Sequence, residues 1–355
     1  MKKVFIVGFL FGLAACSSEK VLDSGKIIDI EYSQGKTFDL NHHVRIDSVI
    51  VLGFKDSLLL GQARNCRVES DRIVYDDYKQ NKIFTFDMKG RLLHTIDALG
   101  NGPKEYNEVK DVIVSQDHKS ILVLDETSIL SFDLREGGFQ KRQYLEFEHS
   151  RAFFRFINIG ENDFYFWTTN DENSLYHYST NTFKAIEKRS GFHFVTQKFY
   201  EYPDKSINFI SDYGDTSISC LANDSLKMKF IFNFGENALP KSKIPTNYSE
   251  FEKIDEEPYF KCILNAFETD QWLYVKTVSP KMELYNIVYN KYNGKVYSGK
   301  QDDENPVIIV DTYKNMFVGI LYPAYFTGDS ELAKLVNRHA DEEYEKPIMI
   351  FFDFK

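Results

Sequence analysis

An echo at a spacing of 46 residues constrains this chain more than any other feature. Residues 72–77, 82–87 and 89–96 form three short apolar runs, and 120–126, 128–133 and 137–142 repeat them. The pattern returns at 163–167, 174–179 and 183–187, so Phe86, Phe132 and Tyr178 are equivalent positions 46 residues apart. Looser copies follow at 211–230, with 216–221 as the third strand, then at 271–289 and at 307–320. Within each copy, apolar and aromatic residues alternate or run briefly, which is the strand pattern. The breaks fall on turn formers: Asp76-Asp77, Lys89-Gly90, Gly137-Gly138, Asn162-Asp163 and Asn293-Gly294. Four short strands every ~40–50 residues is the spacing of a β-propeller blade. A blade cannot bury both faces alone, and an unclosed row of blades would expose sheet edges. The expected fold is therefore all-β, a six-bladed β-propeller. A pair of β-sandwiches would bury similar residues but gives no reason for the echo.

Two interruptions stand out. Residues 236–257 are polar with two prolines and read as a loop inserted between blades four and five. Residues 330–345 read as one short C-terminal helix: Asp329 is a candidate N-cap, Leu332, Leu335, Val336 and His339 share a face, and Pro347 stops it. After it, 348–354 is an apolar strand that can pair with 44–52 and close the ring.

The N-terminus carries a processing signal. Lys2 and Lys3 precede a ten-residue apolar run, 4–13, too short to span a bilayer but suited to secretion. Leu13-Ala14-Ala15-Cys16 follows, with small residues before a cysteine. The chain thus divides into a signal peptide (1–15), a lipidated tether and lead-in (16–35) and the propeller (36–355). Acylation at Cys16 would anchor the protein, since each buried methylene contributes about 0.8 kcal/mol. The expected location is the cell envelope, at the outer membrane, with the membrane face left open. No apolar run reaches spanning length, and a net charge of −10 disfavours nucleic acid as a partner. Cys66, Cys220 and Cys262 remain, an odd number, in apolar surroundings. They read as buried small hydrophobes, with their disulfide state open.

On these residues the chain resembles the six-bladed β-propeller lipoproteins of Gram-negative gut-type bacteria. The most specific element is Gly100-Asn101-Gly102-Pro103-Lys104-Glu105-Tyr106, similar to the G-x-G-P-x-E-Y turn that such proteins carry after blade one. The lipobox Cys16, Asp215-Thr216-Ser217-Ile218, Phe234-Gly235 with Leu239-Pro240, and Asn305-Pro306 support it. The resemblance implies fold and location, not activity. The glycine motif is no phosphate loop, because no Lys-Ser/Thr follows and no helix opens after it.

No signature of metalloprotease, serine hydrolase or EF-hand chemistry occurs, and no cofactor is implied. His42-His43 is the one His pair; neighbours on a strand face opposite ways and do not share a metal. Asp76-Asp77 and 302–304 read as solvated acidic turns. One distribution is less bland. The innermost strands, placed near 63–68, 109–114, 153–157, 206–210 and 260–264, carry Arg64, Arg67, Lys110, Arg155 and Lys261. Converging on the axis, these would form a cationic funnel for a carboxylated or phosphorylated ligand. The competing reading is that Glu69, Asp111 and other acids neutralise them. The functional expectation is a non-catalytic binding propeller for a glycan, peptide or protein partner, an anionic glycan or peptide if the funnel exists. The alternative is a propeller lactonase, lyase or hydrolase working at the channel mouth.

Overall fold

The computed structural model describes residues 25–53, 58–146, 152–189, 191, 196–202, 206–254, 257–304, 306–327, 329–340 and 346–355. The signal peptide, Cys16, Asn305 and the last residues read as helix (341–345) lie outside this set.

Six antiparallel sheets form six blades. Blade one is Ala63–Glu69, Arg72–Asp77, Lys82–Asp87 and Leu92–Ile96, running from the axis outward. Blade two begins at Asp111–Val114 and ends at Phe139–Tyr144. Blade three begins at Phe153–Gly160 and ends at Thr182–Lys188. Blade four runs from Phe199–Glu201 through Ile207–Ile210 and Ser217–Ala222 to Ser225–Asn233. Blade five runs from Ile263–Glu268 to Val296–Gln301. Blade six takes Ile308–Tyr313, Met316–Leu321 and Ile348–Phe354 from the C-terminal end and Val44–Val51 from the N-terminal end. Ile348 pairs with Val51 and Phe354 with Val44, so the ring closes through this antiparallel ladder. The lead-in is more ordered than the sequence implied. Lys26–Asp29 runs parallel to the outer strand of blade four, and Thr37–Phe38 parallel to that of blade five.

Alternating faces of each sheet pack against the neighbouring blades, which is why the strands read as apolar runs. In the seam of blades six and one, Ile73, Tyr75 and Phe86 meet Val318, Ile320 and Phe351, all buried. Between blades five and six, Trp272 and Tyr274 meet Ile309, Phe317 and Phe352, with Leu332 and Val336 of the C-terminal helix on the same core. That helix is Glu331–His339, and its N-cap is Ser330, not Asp329: the Ser330 side chain accepts the Ala333 N–H at 2.9 Å. The insert is not a plain loop. Tyr248–Ile254 is a helix that buries Phe251 and Ile254 against Tyr213, Leu239 and Cys262.

The Gly100 motif is a turn between blades one and two. Glu105 accepts the Gly102 N–H at 2.8 Å, and buried Tyr106 donates its hydroxyl to the Asn81 carbonyl. A Cβ at Gly100 would push the Glu105 carboxylate out of its place in the turn. Arg142 of blade two locks the turn by donating to the Glu105 carbonyl and, at 2.7 Å, to buried Asp125.

Four hairpins turn on residue pairs that lack glycine. Ser70-Asp71, Thr180-Asn181, Asn223-Asp224 and Lys314-Asn315 all have φ between 47° and 64°. Two successive positive φ values mark the type I′ turn, whose twist matches the strands it joins. Thr180 is exposed and β-branched in this left-handed region, so it is strained. Thr180→Asn is expected to stabilise the protein by about 1 kcal/mol. The check is a higher urea midpoint at unchanged slope; an unchanged midpoint would refute the strain.

Candidate functional site

The inner strands of all six blades enclose a cavity of about 380 Å³ on the ring axis. Consecutive turns of an antiparallel blade alternate between its two ends, so the hairpins after each inner strand share one face of the ring. The cavity walls include the strand ends Glu69 and Glu201 and the hairpin residues His118, Tyr202, Lys314 and Asn315. The cavity therefore opens on the hairpin face. The insert helix and the C-terminal helix sit on the opposite face.

The five expected cations do not converge. Arg67 and Arg155 line the cavity; Arg64, Lys110 and Lys261 do not. Arg64 turns toward Asp76 at 3.5 Å, donates to Asn81 and stacks over Tyr78. Lys110 pairs with Glu108 at 2.6 Å and lies over the Phe154 ring. Lys261 is buried, off the cavity. The inner strand of blade four is Phe199–Glu201, not 206–210, which is the second strand.

The two arginines that reach the axis are held by neighbouring blades. Arg67 pairs with Asp311 of blade six at 3.3 Å, and Asp311 also accepts the Val68 N–H at 2.8 Å. Burial works against the Arg67 charge, but Asp311, Asp111 and Glu201 outweigh it and hold the guanidinium protonated. Arg155 donates to the carbonyls of Thr196, Lys110 and Phe154, tying blades two, three and four together. Asp111 accepts from Asn65 at 2.5 Å and from the Phe156 N–H at 3.1 Å. Burial raises its carboxyl above the usual range, with Arg155 and those hydrogen bonds opposing.

Lysines add little to this field. Lys198 pairs with Asp212 at 3.0 Å, and Lys314 lies 3.6 Å from Asp71. That leaves Arg67 and Arg155 facing Glu69, Asp111, Glu201 and Asp311, so the wall is mixed and mildly acidic. Glu69 meets His118 at 3.1 Å. Glu201 makes no hydrogen bond or ion pair to a described residue. It is reached by water yet enclosed by the channel walls. This enclosure raises its carboxyl, Asp311 and Glu69 add to the effect, and Arg67 and His118 oppose it.

Glu201 and Asp311 escaped the sequence reading. The echo could have found the first, because 46 positions beyond Arg155 is Glu201. The acid pair Asp76-Asp77 is no solvated turn; both are fully buried. Asp77 accepts the N–H groups of Gly61, Lys79 and Gln80 and so caps two loops. Among the described residues, Cys66, Cys220 and Cys262 form no disulfide, and burial pushes the Cys66 thiol up, away from reactivity. His43 stacks on Phe38 and Tyr297. Among the described residues, no group of three or more His, Cys, Asp or Glu is arranged to hold a metal ion, and no helix is long and apolar enough to cross a membrane.

Residues 26–346 match the family described as a domain of unknown function, DUF4934. The chain belongs to that family. DUF4934 carries no stated activity, and no curated protein matches the chain. A Bacteroides fragilis protein described as exported superposes with a TM-score of 0.73 at 16% identity, over 93% of this chain and 100% of its own. A DUF4221 family member from Bacteroides vulgatus superposes at 0.57 and 11% identity, over 88% of this chain and 98% of its own. At these identities the likeness is one of fold.

Asp76, behind the cavity wall, generates a pH prediction. Both its oxygens are buried without a hydrogen bond, and burial lifts its pKa to about 7, with Arg64 opposing. A carboxyl raised in the folded state favours folding while protonated. Its contribution is complete below about pH 4 and is lost as the pH climbs to about 7. Asp76→Asn is expected to remove this loss and to stabilise the protein by about 1–3 kcal/mol at pH 8. The gap should vanish near pH 4. Melting curves of both proteins across that range decide it, and a pH-independent difference would refute the assignment.

Proposed function

We propose that this DUF4934 protein is an exported, lipid-anchored binding propeller whose recognition site is the axial cavity. The observation that carries the reading is Glu201, a carboxylate with no side-chain partner among the described residues, inside a cavity where two arginines keep unused donors. Arg67 spends one nitrogen on Asp311, and Arg155 spends two on carbonyls. Such a wall suits a small polar ligand with an acidic group for the guanidinium edge and an amine or hydroxyl for Glu201, such as a peptide terminus. A purely anionic glycan or peptide is less well served, because carboxylates outnumber guanidiniums there. Arg67 and Arg155 carry the recognition expected of the original five, while Arg64, Lys110 and Lys261 serve blade packing.

Titration calorimetry with short peptides and their amine-blocked or amidated forms tests this reading. Glu201→Gln is expected to weaken binding of the free peptide about tenfold or more, since a charge-assisted hydrogen bond is lost. The melting temperature should hold. Equal affinity for blocked and free peptides, or for the variant and the parent, would rule the reading out.

Export and anchoring rest on the lipobox, the apolar leader and the exported fold relative. Cys16→Ala is expected to shift the protein from the membrane fraction to the soluble fraction and to abolish acyl labelling. A parent protein that takes no acyl label would end this part of the proposal.

One observation favours the enzyme reading: Glu201 and Asp311 both sit above the ordinary carboxylate range in a cavity, as acid–base catalysts do. Turnover of lactone or glycoside substrates that Glu201→Gln abolishes would establish it.

A further inference from the structure

The seam between blades three and four differs from the other five. Its buried apolar core, which includes Trp167, Phe199, Phe209 and Leu221, is the smallest of the six seam cores. Beyond this core the seam opens into a groove of about 610 Å³. That volume falls within the ~300–1,000 Å³ of small-molecule sites.

The groove wall carries hydroxyls. Ser217 and Ser219 face the groove from one strand of blade four, and Ser211 lies beside them. Ser211 and Ser217 share a hydrogen bond of 2.8 Å. Ser219 is different. It is 6% exposed, lines the groove, and its hydroxyl makes no hydrogen bond to a described residue, so it stays open to water or a ligand. Glu187 of blade three and Asp215 stand across the groove, Phe209 lies at its base, and Met228 forms a rim.

The chemistry narrows the ligand. Ser217–Ala222 is paired on both sides, so the groove floor offers no free backbone groups to an added peptide strand. The field is weak: Asp212 is neutralised by Lys198 and also accepts from Trp167 Nε1 at 3.0 Å, and Lys227 offsets one of the two remaining acids. What remains is a row of hydroxyls that both donate and accept, carboxylates that accept, and an apolar strip. A saccharide matches all three, since its hydroxyls do both and its ring faces are apolar. We propose that the groove between blades three and four is a second binding site, separate from the axial cavity, for a neutral short oligosaccharide.

The test is saturation-transfer NMR and calorimetry on the full chain with three probes: cellobiose, maltose and N,N′-diacetylchitobiose. Spermidine serves as the cationic comparison. Binding of at least one saccharide is expected. Ser219→Val, which keeps the shape and removes the hydroxyl, should weaken that binding about tenfold. Ser219→Thr, which keeps a hydroxyl, should retain most of it. Both variants should melt with the parent; if Ser219→Val alone melts early, the Thr variant and line broadening of groove resonances on titration decide the site. Saccharide binding that survives Ser219→Val in a folded protein, binding of spermidine alone, or binding of none of the probes overturns the proposal.

Discussion

A sheet edge is a row of unpaired N–H and C=O groups, and a ring of sheets stands only if the first and last parts of the chain satisfy each other. Here Val44–Val51 and Ile348–Phe354 do so. The solution extends further than one ladder. Before it reaches blade six, the N-terminal segment runs along the outside of blades four and five and lends each a parallel fifth strand. Blades four and five therefore have their outer strands covered by one continuous strap, which ends as the outer strand of blade six. Blades one to three keep four strands each, and blades two and three use another device. The strand Phe139–Tyr144 carries Lys141 and Arg142 on its edge, and Thr182–Lys188 carries Lys184 and Lys188. Charged edge residues discourage pairing with other chains. The strap starts at the outer edge of blade four, where Gly25 packs against Met228.

Repetition in the sequence becomes bonding in space. Asn65 and Asp111 are 46 residues apart and hydrogen-bond directly across the seam of blades one and two. Asp111 then reaches Phe156, 45 residues on, and Trp167 reaches Asp212 with the same separation. Equivalent positions on adjacent blades lie close together near the axis, so a charge on one inner strand tends to meet its counterpart on the next. This is why a cationic funnel did not form. Cations on successive inner strands would repel at short range, and the acids opposite them resolve the conflict by pairing.

The parts of the fold governed by hydrophobic period were legible in the sequence. Phe86, Phe132 and Tyr178 announced the blades because burial on both faces demands continuous apolar strands. Features set by polar geometry were hidden. Asp77 reads as a surface acid until the incoming loop at Gly61 is seen to need a buried acceptor. Ser70-Asp71 and Lys314-Asn315 show none of the glycine that usually marks a tight hairpin. Phe199–Glu201 is three residues long, too short to display a period, so blade four was read one strand late and Glu201 was lost with it. Two of the five cations reached the axis; the other three were misplaced by strand register, where one residue decides which face a side chain takes.

Similar apolar strands raise a problem of order, since six blades with interchangeable faces could stack wrongly. Each seam answers with a different polar match. Blades six and one share Arg67 and Asp311. Across the seam of blades three and four, Trp167 donates its Nε1–H to Asp212, and Lys198, paired with Asp212, lies over the Trp167 ring. Blades four and five share Glu268, buried and bridged at 2.8 Å by both Lys229 and Lys291. Blades five and six share the Asp270 N–H and Asn315. A buried ion pair adds little net stability over a well-packed apolar one, because desolvation cancels much of the attraction. A wrong neighbour is another matter: it would take Arg67 from Asp311 and Lys229 from Glu268, leaving buried charge less well matched. The polar seams thus act mainly against misassembly, and the apolar seams supply the stability. The seam of blades three and four joins this polar match to the smallest apolar core among the described residues. It is consequently the place where the ring can open a groove without losing its order.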